Sequence, residues 1–118
     1  MVIRAEVIAG RSLGRKIGFP TANLALPDSL EIENGVYAST TRIEGVEYKS
    51  ISNVGIKPTV GGAERALECH ILDFSGNIYG QIIEVTLHQK IRCEQRFESI
   101  EALKNQIELD IKKIRNLK

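Results

Sequence analysis

The densest set of chemically capable residues lies near the amino terminus, in Gly10-x-x-x-Gly14-Arg15-Lys16-x-Gly18-Phe19-Pro20-Thr21-Ala22-Asn23-Leu24. Glycines without a Cβ let backbone N–H groups approach an oligophosphate, and Arg15 or Lys16 beside them would offset its charge. The spacing is neither GxxxxGKS/T nor GxGxxG, so composition alone reads equally as a phosphate loop or a structural turn. Thr21 and Asn23 stand two apart, which on an extended segment turns both side chains the same way. A hydroxyl and an amide oxygen are hard ligands suited to Mg²⁺; Thr and Asn after a proline are also ordinary turn residues.

A second candidate is Glu68-Cys69-His70, set inside an otherwise apolar run. Strand alternation puts Glu68 and His70 on one face and Cys69 with Ile71 on the other. A mid-strand carboxylate is either solvated or placed for work, as a general base within reach of a substrate proton. A third is Ile91-Arg92-Cys93-Glu94-Gln95-Arg96-Phe97, between the last strand pattern and a helical one. Arg92 has a fork that could bind a phosphate, and Phe97 a face that could wall an aromatic ligand. The same residues also read as a core anchor and a solvated rim. Cys69 and Cys93 show no CxxC or CxxH spacing, which excludes the common zinc frameworks and argues against a disulfide-dependent secreted module. Each reads as a small core residue.

These side chains need elements to hold them. Val2–Ala9 is β-branched and stops at Gly10, residues 10–20 read as a loop, and Pro27, Asp28, Ser29 and Asn34–Gly35 mark loop and turn. GVYASTTRI and VEYKSISNV flank Glu44–Gly45, a hairpin signal. Gly55, Pro58, Gly61 and Gly62 predict another long loop. ALECHILDF and IYGQIIEVTLH around Ser75-Gly76-Asn77 predict a second hairpin. Strands joined by turns, without intervening helices, favour an antiparallel sheet or barrel. The period then changes. Ile100, Leu103, Ile107, Ile111, Ile114 and Leu117 form one helical stripe, with Ser99 as N-cap, Glu101 in the first turn and Lys112, Lys113, Arg115 and Lys118 near the end.

Composition bounds the reading. The chain has 118 residues, 42% hydrophobic and 26% charged, with 16 Lys+Arg against 15 Asp+Glu. That length suits one domain with an ordinary core. A formal charge of +1 argues against holding nucleic acid by bulk electrostatics. No apolar run approaches the ~18 residues of a membrane span, and MVIRAEVIAG holds no secretory h-region. A cytoplasmic single-domain protein is expected.

Taken in order, GRKIGFPTANL, GVYA, NVGIKPTV, ECHILDFSGNIYG and IRCEQRFESIEAL resemble the riboflavin kinase family, from about Val7 to about Asp110. The resemblance implies a mainly β fold: a six-stranded antiparallel Greek-key barrel with a C-terminal helix packed on it, here as one domain over 1–118. It implies transfer of the ATP γ-phosphoryl group to the ribityl 5′-hydroxyl of riboflavin, giving FMN and ADP. By motif position, Glu68 falls on the catalytic base. Gly10, Arg15, Thr21, Asn23, His70, Ile71 and Tyr79 fall on the nucleotide side, Thr21 and Asn23 as Mg²⁺ ligands. Arg92, Gln95 and Phe97 fall in the flavin-binding segment. Because neither proposed metal ligand is charged, Mg²⁺ is expected to arrive with ATP.

Three departures from the family's usual pattern stand out. Asn77 and Ile78 replace an acid and a Leu in the turn, and Val60 stands where a bulkier hydrophobe is usual. Bacterial relatives commonly carry an FMN adenylyltransferase domain ahead of this module; this chain opens at Met1 and shows no HxGH-type motif, so no FAD synthesis is expected. The expected partners are riboflavin and ATP, with no nucleic acid, no membrane and a monomeric state. The alternative reading is a non-catalytic flavin- or nucleotide-sensing module on the same fold. A barrel that binds single-stranded nucleic acid is disfavoured by three Phe, three Tyr and no Trp.

Overall fold

The β-branched and aromatic runs pair as strands. The computed structural model describes residues 1–8, 21–27, 29–95 and 97–117, the side chains of 57–59 excepted. Gly10 and Arg15, two expected nucleotide contacts, lie outside the described residues. Among the described residues the elements are β1 (Val2–Glu6), β2 (Ala22–Ala25), β3 (Gly35–Ile43), β4 (Val46–Thr59), β5 (Gly62–Ile71), β6 (Ile82–Arg92) and one helix, α1 (Ile100–Asn116). All the strand pairs are antiparallel, in the order β1-β6-β3-β4-β5-β2. Strands β3, β4 and β5 run as a meander and β6 returns beside β3, which is the Greek-key connection. The sheet's two ends meet where the Ile8 N–H donates to the Asn23 carbonyl at 2.8 Å, so the barrel is nearly closed.

Two sequence expectations are corrected. Residues 55–62 do not form a long loop: β4 continues to Thr59, which pairs directly with Gly62. Gly55 and Pro58 lie within β4 and Gly62 opens β5, so the turn is only Val60–Gly61, where Gly61 takes a φ of +90 that a Cβ would disfavour. Nor do β5 and β6 form a hairpin. Strand β5 lies between β4 and β2, and β6 between β1 and β3. The Ser75-Gly76-Asn77 turn sits in a connection that crosses to the far side of the sheet. A local turn signal is the same whichever distant strand the chain joins afterwards, so nonlocal pairing decides.

The sheet is buried on two faces. Inside the barrel, Leu24, Val54, Leu67, Ile83 and Val85 are buried essentially completely. Burying side chains of this kind is worth about 1.5–3 kcal/mol each. The interior also holds a chain of hydroxyls. Ser39 bonds Ser50 (2.7 Å) and Ser52 (2.8 Å), Thr41 bonds Ser50 (2.8 Å), and Thr41 reaches the Cys69 thiol at 3.1 Å. These groups satisfy one another, so the buried polarity is tolerated. Outside, Val36, Ala38, Ile51 and Leu72 are covered by Ile114, with Ile111, Leu117 and Ile91 alongside. Burial on both faces is why GVYASTTRI lacks a clean alternation.

Helix α1 forms as its caps require. The Ser99 hydroxyl accepts from the Ala102 N–H at 3.1 Å, and the Lys49 ammonium donates to the Leu117 carbonyl (3.2 Å) at the other end. The apolar stripe seats mainly through its C-terminal half: Ile100 is exposed, whereas Asp110 is buried beside it. No helix of the chain is long and apolar enough to cross a membrane, among the described residues.

Candidate active site

Glu68 pairs on one side with Asn23 of β2 and on the other with Asn53 of β4. Asn53 pairs in turn with Val36 of β3, and Val36 with Arg92 of β6. Opposed residues in a sheet share a face. Asn23, Glu68, Asn53, Val36 and Arg92 therefore form one row across the outside of the barrel, since the neighbours Leu67 and Cys69 point into its interior. Three interstrand steps separate Glu68 from Arg92, about 14 Å. Glu68 is half-buried in this row and Asn53 is exposed.

Asn23 is the unusual member. It is 4% exposed, yet its Oδ1 has no hydrogen-bond partner among the described residues. Leaving such an acceptor unpaired costs about 1–3 kcal/mol. An amide oxygen held this way fits a hard cation or a strong donor that arrives with a ligand. Thr21 is half-buried just before β2. The next turn of geometry brings in Tyr79, whose N–H donates to Asn77 Oδ1 at 2.9 Å and whose side chain is exposed. Gly80 and Gln81 bond the backbone of Val7 at 2.9 and 2.8 Å. Tyr79, next to Gly80, and Thr21, two residues before Asn23, therefore lie on the two segments that flank Val7 and Ile8. His70 is half-buried on the outer face, opposite Ile51. Ile71 turns into the inner core, so it offers the site its backbone.

At the other end of the row, Arg92 is paired with Asp110. Its Nε lies 3.1 and 3.2 Å from the two Asp110 oxygens and one terminal nitrogen 2.8 Å from Oδ2, while the other donates to the Cys93 carbonyl at 3.3 Å. The fork that could have met a phosphate is held by a buried carboxylate. The guanidinium also lies over the Phe97 ring, 5.9 Å from its centroid. Gln95 is exposed in the same segment. The fold therefore brings Glu68, Asn23 and Thr21 to one end, and Arg92 and Phe97 to the other.

Sequence reasoning missed two residues, Glu94 and Asp110. The Glu94 carboxyl lies on the backbone of Gly55, where an added Cβ would sit 2.5 Å from its Oε1. Gly55 is on the outer face, two residues along β4 from Asn53, which places Glu94 near Glu68. Burial, and then the Glu68 charge, hold the Glu94 carboxyl above its usual range. Nothing local links positions 55 and 94. Asp110 had a signal: a charge between Ile107 and Ile114, on the apolar side of the helix. One expectation is corrected here. Cys93 is exposed, because the strand ends before it and its segment lies over the surface; Cys69 is buried, as expected.

The architecture is that of a flavokinase-type Greek-key barrel. It superimposes on a riboflavin kinase crystal structure from Trypanosoma brucei with a TM-score of 0.66, at 23% identity, over 98% of this chain and 77% of that one. The chain belongs to the riboflavin kinase family, whose model (Flavokinase, riboflavin kinase) matches residues 1–118. It is 46% identical over 110 residues to the bifunctional riboflavin kinase/FMN adenylyltransferase of Haemophilus influenzae, covering 92% of this chain and 36% of that protein. It is 42% identical over 111 residues to the RNA-binding riboflavin kinase RibR of Bacillus subtilis, covering 93% and 48%. A Streptococcus pneumoniae crystal structure described as a macrolide-efflux protein matches with a TM-score of 0.90 and 35% identity, over 99% of this chain and 39% of that one. The chain spans less than half the length of these curated relatives.

Proposed function

We propose that residues 1–118 act as one riboflavin kinase domain, transferring the γ-phosphoryl group of ATP to the ribityl 5′-hydroxyl of riboflavin to give FMN and ADP in the cytoplasm. Family membership supports FMN formation from riboflavin. The observation that carries the finer reading is the pairing of Glu68 with Asn23, a buried amide whose Oδ1 has no hydrogen-bond partner among the described residues.

In this reading Glu68 accepts the proton of the 5′-hydroxyl as that oxygen bonds to the γ-phosphorus. The bond from the γ-phosphorus to the β–γ bridging oxygen breaks, and ADP leaves with the electron pair. Phosphoryl transfer asks mainly for positioning and charge stabilisation, so one base and a well-placed nucleotide suffice. Mg²⁺ brought with ATP supplies neutralising charge on the phosphoryl oxygens, and Asn23 Oδ1 with the Thr21 hydroxyl would hold it. Tyr79, His70, the Ile71 backbone, Gly10 and Arg15 serve the nucleotide side. Phe97, Arg92 and Gln95 serve the flavin side.

The test is incubation of the purified chain with riboflavin and Mg-ATP, separating flavins by chromatography. FMN that disappears when Mg²⁺ is omitted is the expected result. Tight flavin binding without FMN would favour a sensing module, and neither binding nor turnover would overturn the reading. Titrating Mg²⁺ alone into the protein by calorimetry should give little heat, because neither proposed ligand is charged.

A further inference from the structure

Asp110 is a buried charge in the middle of an apolar helix face. It is 4% exposed, and Ile107, Ile111 and Ile114 surround it in sequence on α1. A carboxylate is costly to bury unless it is paired and hydrogen-bonded. Here it is: Oδ1 accepts from Arg92 Nε (3.1 Å) and Gln106 Nε2 (3.0 Å), and Oδ2 from an Arg92 terminal nitrogen (2.8 Å). An apolar pair at these positions would fasten the helix to the barrel without that desolvation cost. What the ion pair adds is direction. A bidentate carboxylate fixes the plane of a guanidinium. That plane in turn meets two parts of the segment after β6: it donates to the Cys93 carbonyl at 3.3 Å and lies over the Phe97 ring, 5.9 Å from its centroid.

We propose that Asp110 is a positioning residue for flavin binding: by fixing the Arg92 guanidinium, it holds Cys93–Gln95 and Phe97 in the arrangement that receives riboflavin, without touching the flavin itself. This rests on the kinase reading above. The segment is short, polar and largely exposed, so few contacts of its own would order it. Arg92 ends the row that contains Glu68, so a shift of its plane moves the flavin wall relative to the base.

The experiment uses Asp110→Asn, which keeps the shape, removes the charge and turns one acceptor into a donor, together with Arg92→Lys and the double variant. Riboflavin affinity is read by quenching of flavin fluorescence, and a nitroxide label on exposed Cys93 reports the mobility of the segment by electron paramagnetic resonance. Asp110→Asn should raise the riboflavin Kd and KM about tenfold while the KM for ATP stays within twofold. Arg92→Lys should do the same, and the double variant should be no worse than the poorer single, since both break one unit. The label should become more mobile in Asp110→Asn. A lowered Tm with riboflavin Kd within twofold of wild type would make Asp110 a plain helix fastener and overturn the proposal, as would an unmoved label. If Asp110→Asn does not fold, Gln106→Leu weakens the same carboxylate's support without unpairing the charge and should raise the Kd two- to threefold; no change there would also overturn it. Failure of the kinase reading looks different: wild type itself would bind no riboflavin, which removes the flavin half of the proposal, while the label would still report whether Asp110 orders the segment.

Discussion

Asn23 stands directly opposite Glu68 in the β2–β5 ladder, so a nearly buried amide and a half-buried carboxylate share one patch of the outer barrel face. Neither strand alone produces this patch. Strand β2 is four residues long and β5 ten, and their register follows from Leu24 and Leu67 meeting in the interior. A one-residue slip of β2 would turn Asn23 inward and part it from Glu68.

Replacing Glu68 with Gln keeps the shape and removes the proton acceptor. Turnover to FMN should fall by roughly 10² or more, with riboflavin binding retained. Steady-state kinetics beside fluorescence titration checks this, and unchanged turnover would take Glu68 out of the base role.

Asn23→Leu fills the same space without the orphaned oxygen. In the wild-type protein, Mg-ATP should raise the Tm by mass action on the folded state. That increase should vanish in Asn23→Leu, while the apo protein still melts cooperatively. Thermal melts with and without Mg-ATP decide it; a full ligand-induced rise in the variant would free Asn23 from nucleotide binding.

Glu94 gives a pH dependence with a definite sign. Its folded-state pKa is raised above the ordinary 4.5, first by burial and then by Glu68. The folded protein therefore binds this proton more readily than the unfolded chain, and ionised Glu94 opposes folding. The cost is full above the folded pKa and disappears as pH falls below about 4.5, where both states are protonated. Glu94→Gln should therefore raise the Tm slightly at pH 7 and less at pH 4, the effect staying small because the side chain is largely exposed. Gly55→Ala should displace the same carboxyl, because the new Cβ would lie 2.5 Å from Oε1 at the end of a flexible side chain. Its Tm should match wild type or exceed it, since Gly in a strand interior is unfavourable.

The two thiols should react in turn. Cys93 is exposed and Cys69 is buried, with its pKa pushed up by loss of solvation. The thiolate is the nucleophile. At pH 8 a thiol reagent should therefore modify one cysteine in the native protein and the second only on unfolding. Two fast-reacting thiols in the native state would contradict the placement of Cys69 in the barrel interior.

Much of this molecule was legible in the chain. The β-branched runs, the Glu44–Gly45 turn and the helix start at Ser99 are local signals, written in residues that stand within a few positions of one another. So were the candidate residues themselves, because Glu68 interrupts an apolar strand and Thr21–Asn23 follow a glycine-rich stretch. Two readings failed. Across 55–62, pairing with β5 holds Gly55 and Pro58 in a strand despite their loop-like types. The Ser75-Gly76-Asn77 turn specifies how the chain bends, whereas which strand it meets next depends on burial elsewhere in the barrel. The same holds for the site. Glu94 over Gly55, Asp110 under Arg92, and the row from Asn23 to Arg92 join positions far apart in sequence. Local chemistry chose the residue types; only closure of the barrel and docking of the helix brought them within reach of one another, because those contacts exist only once the apolar interior has set the register.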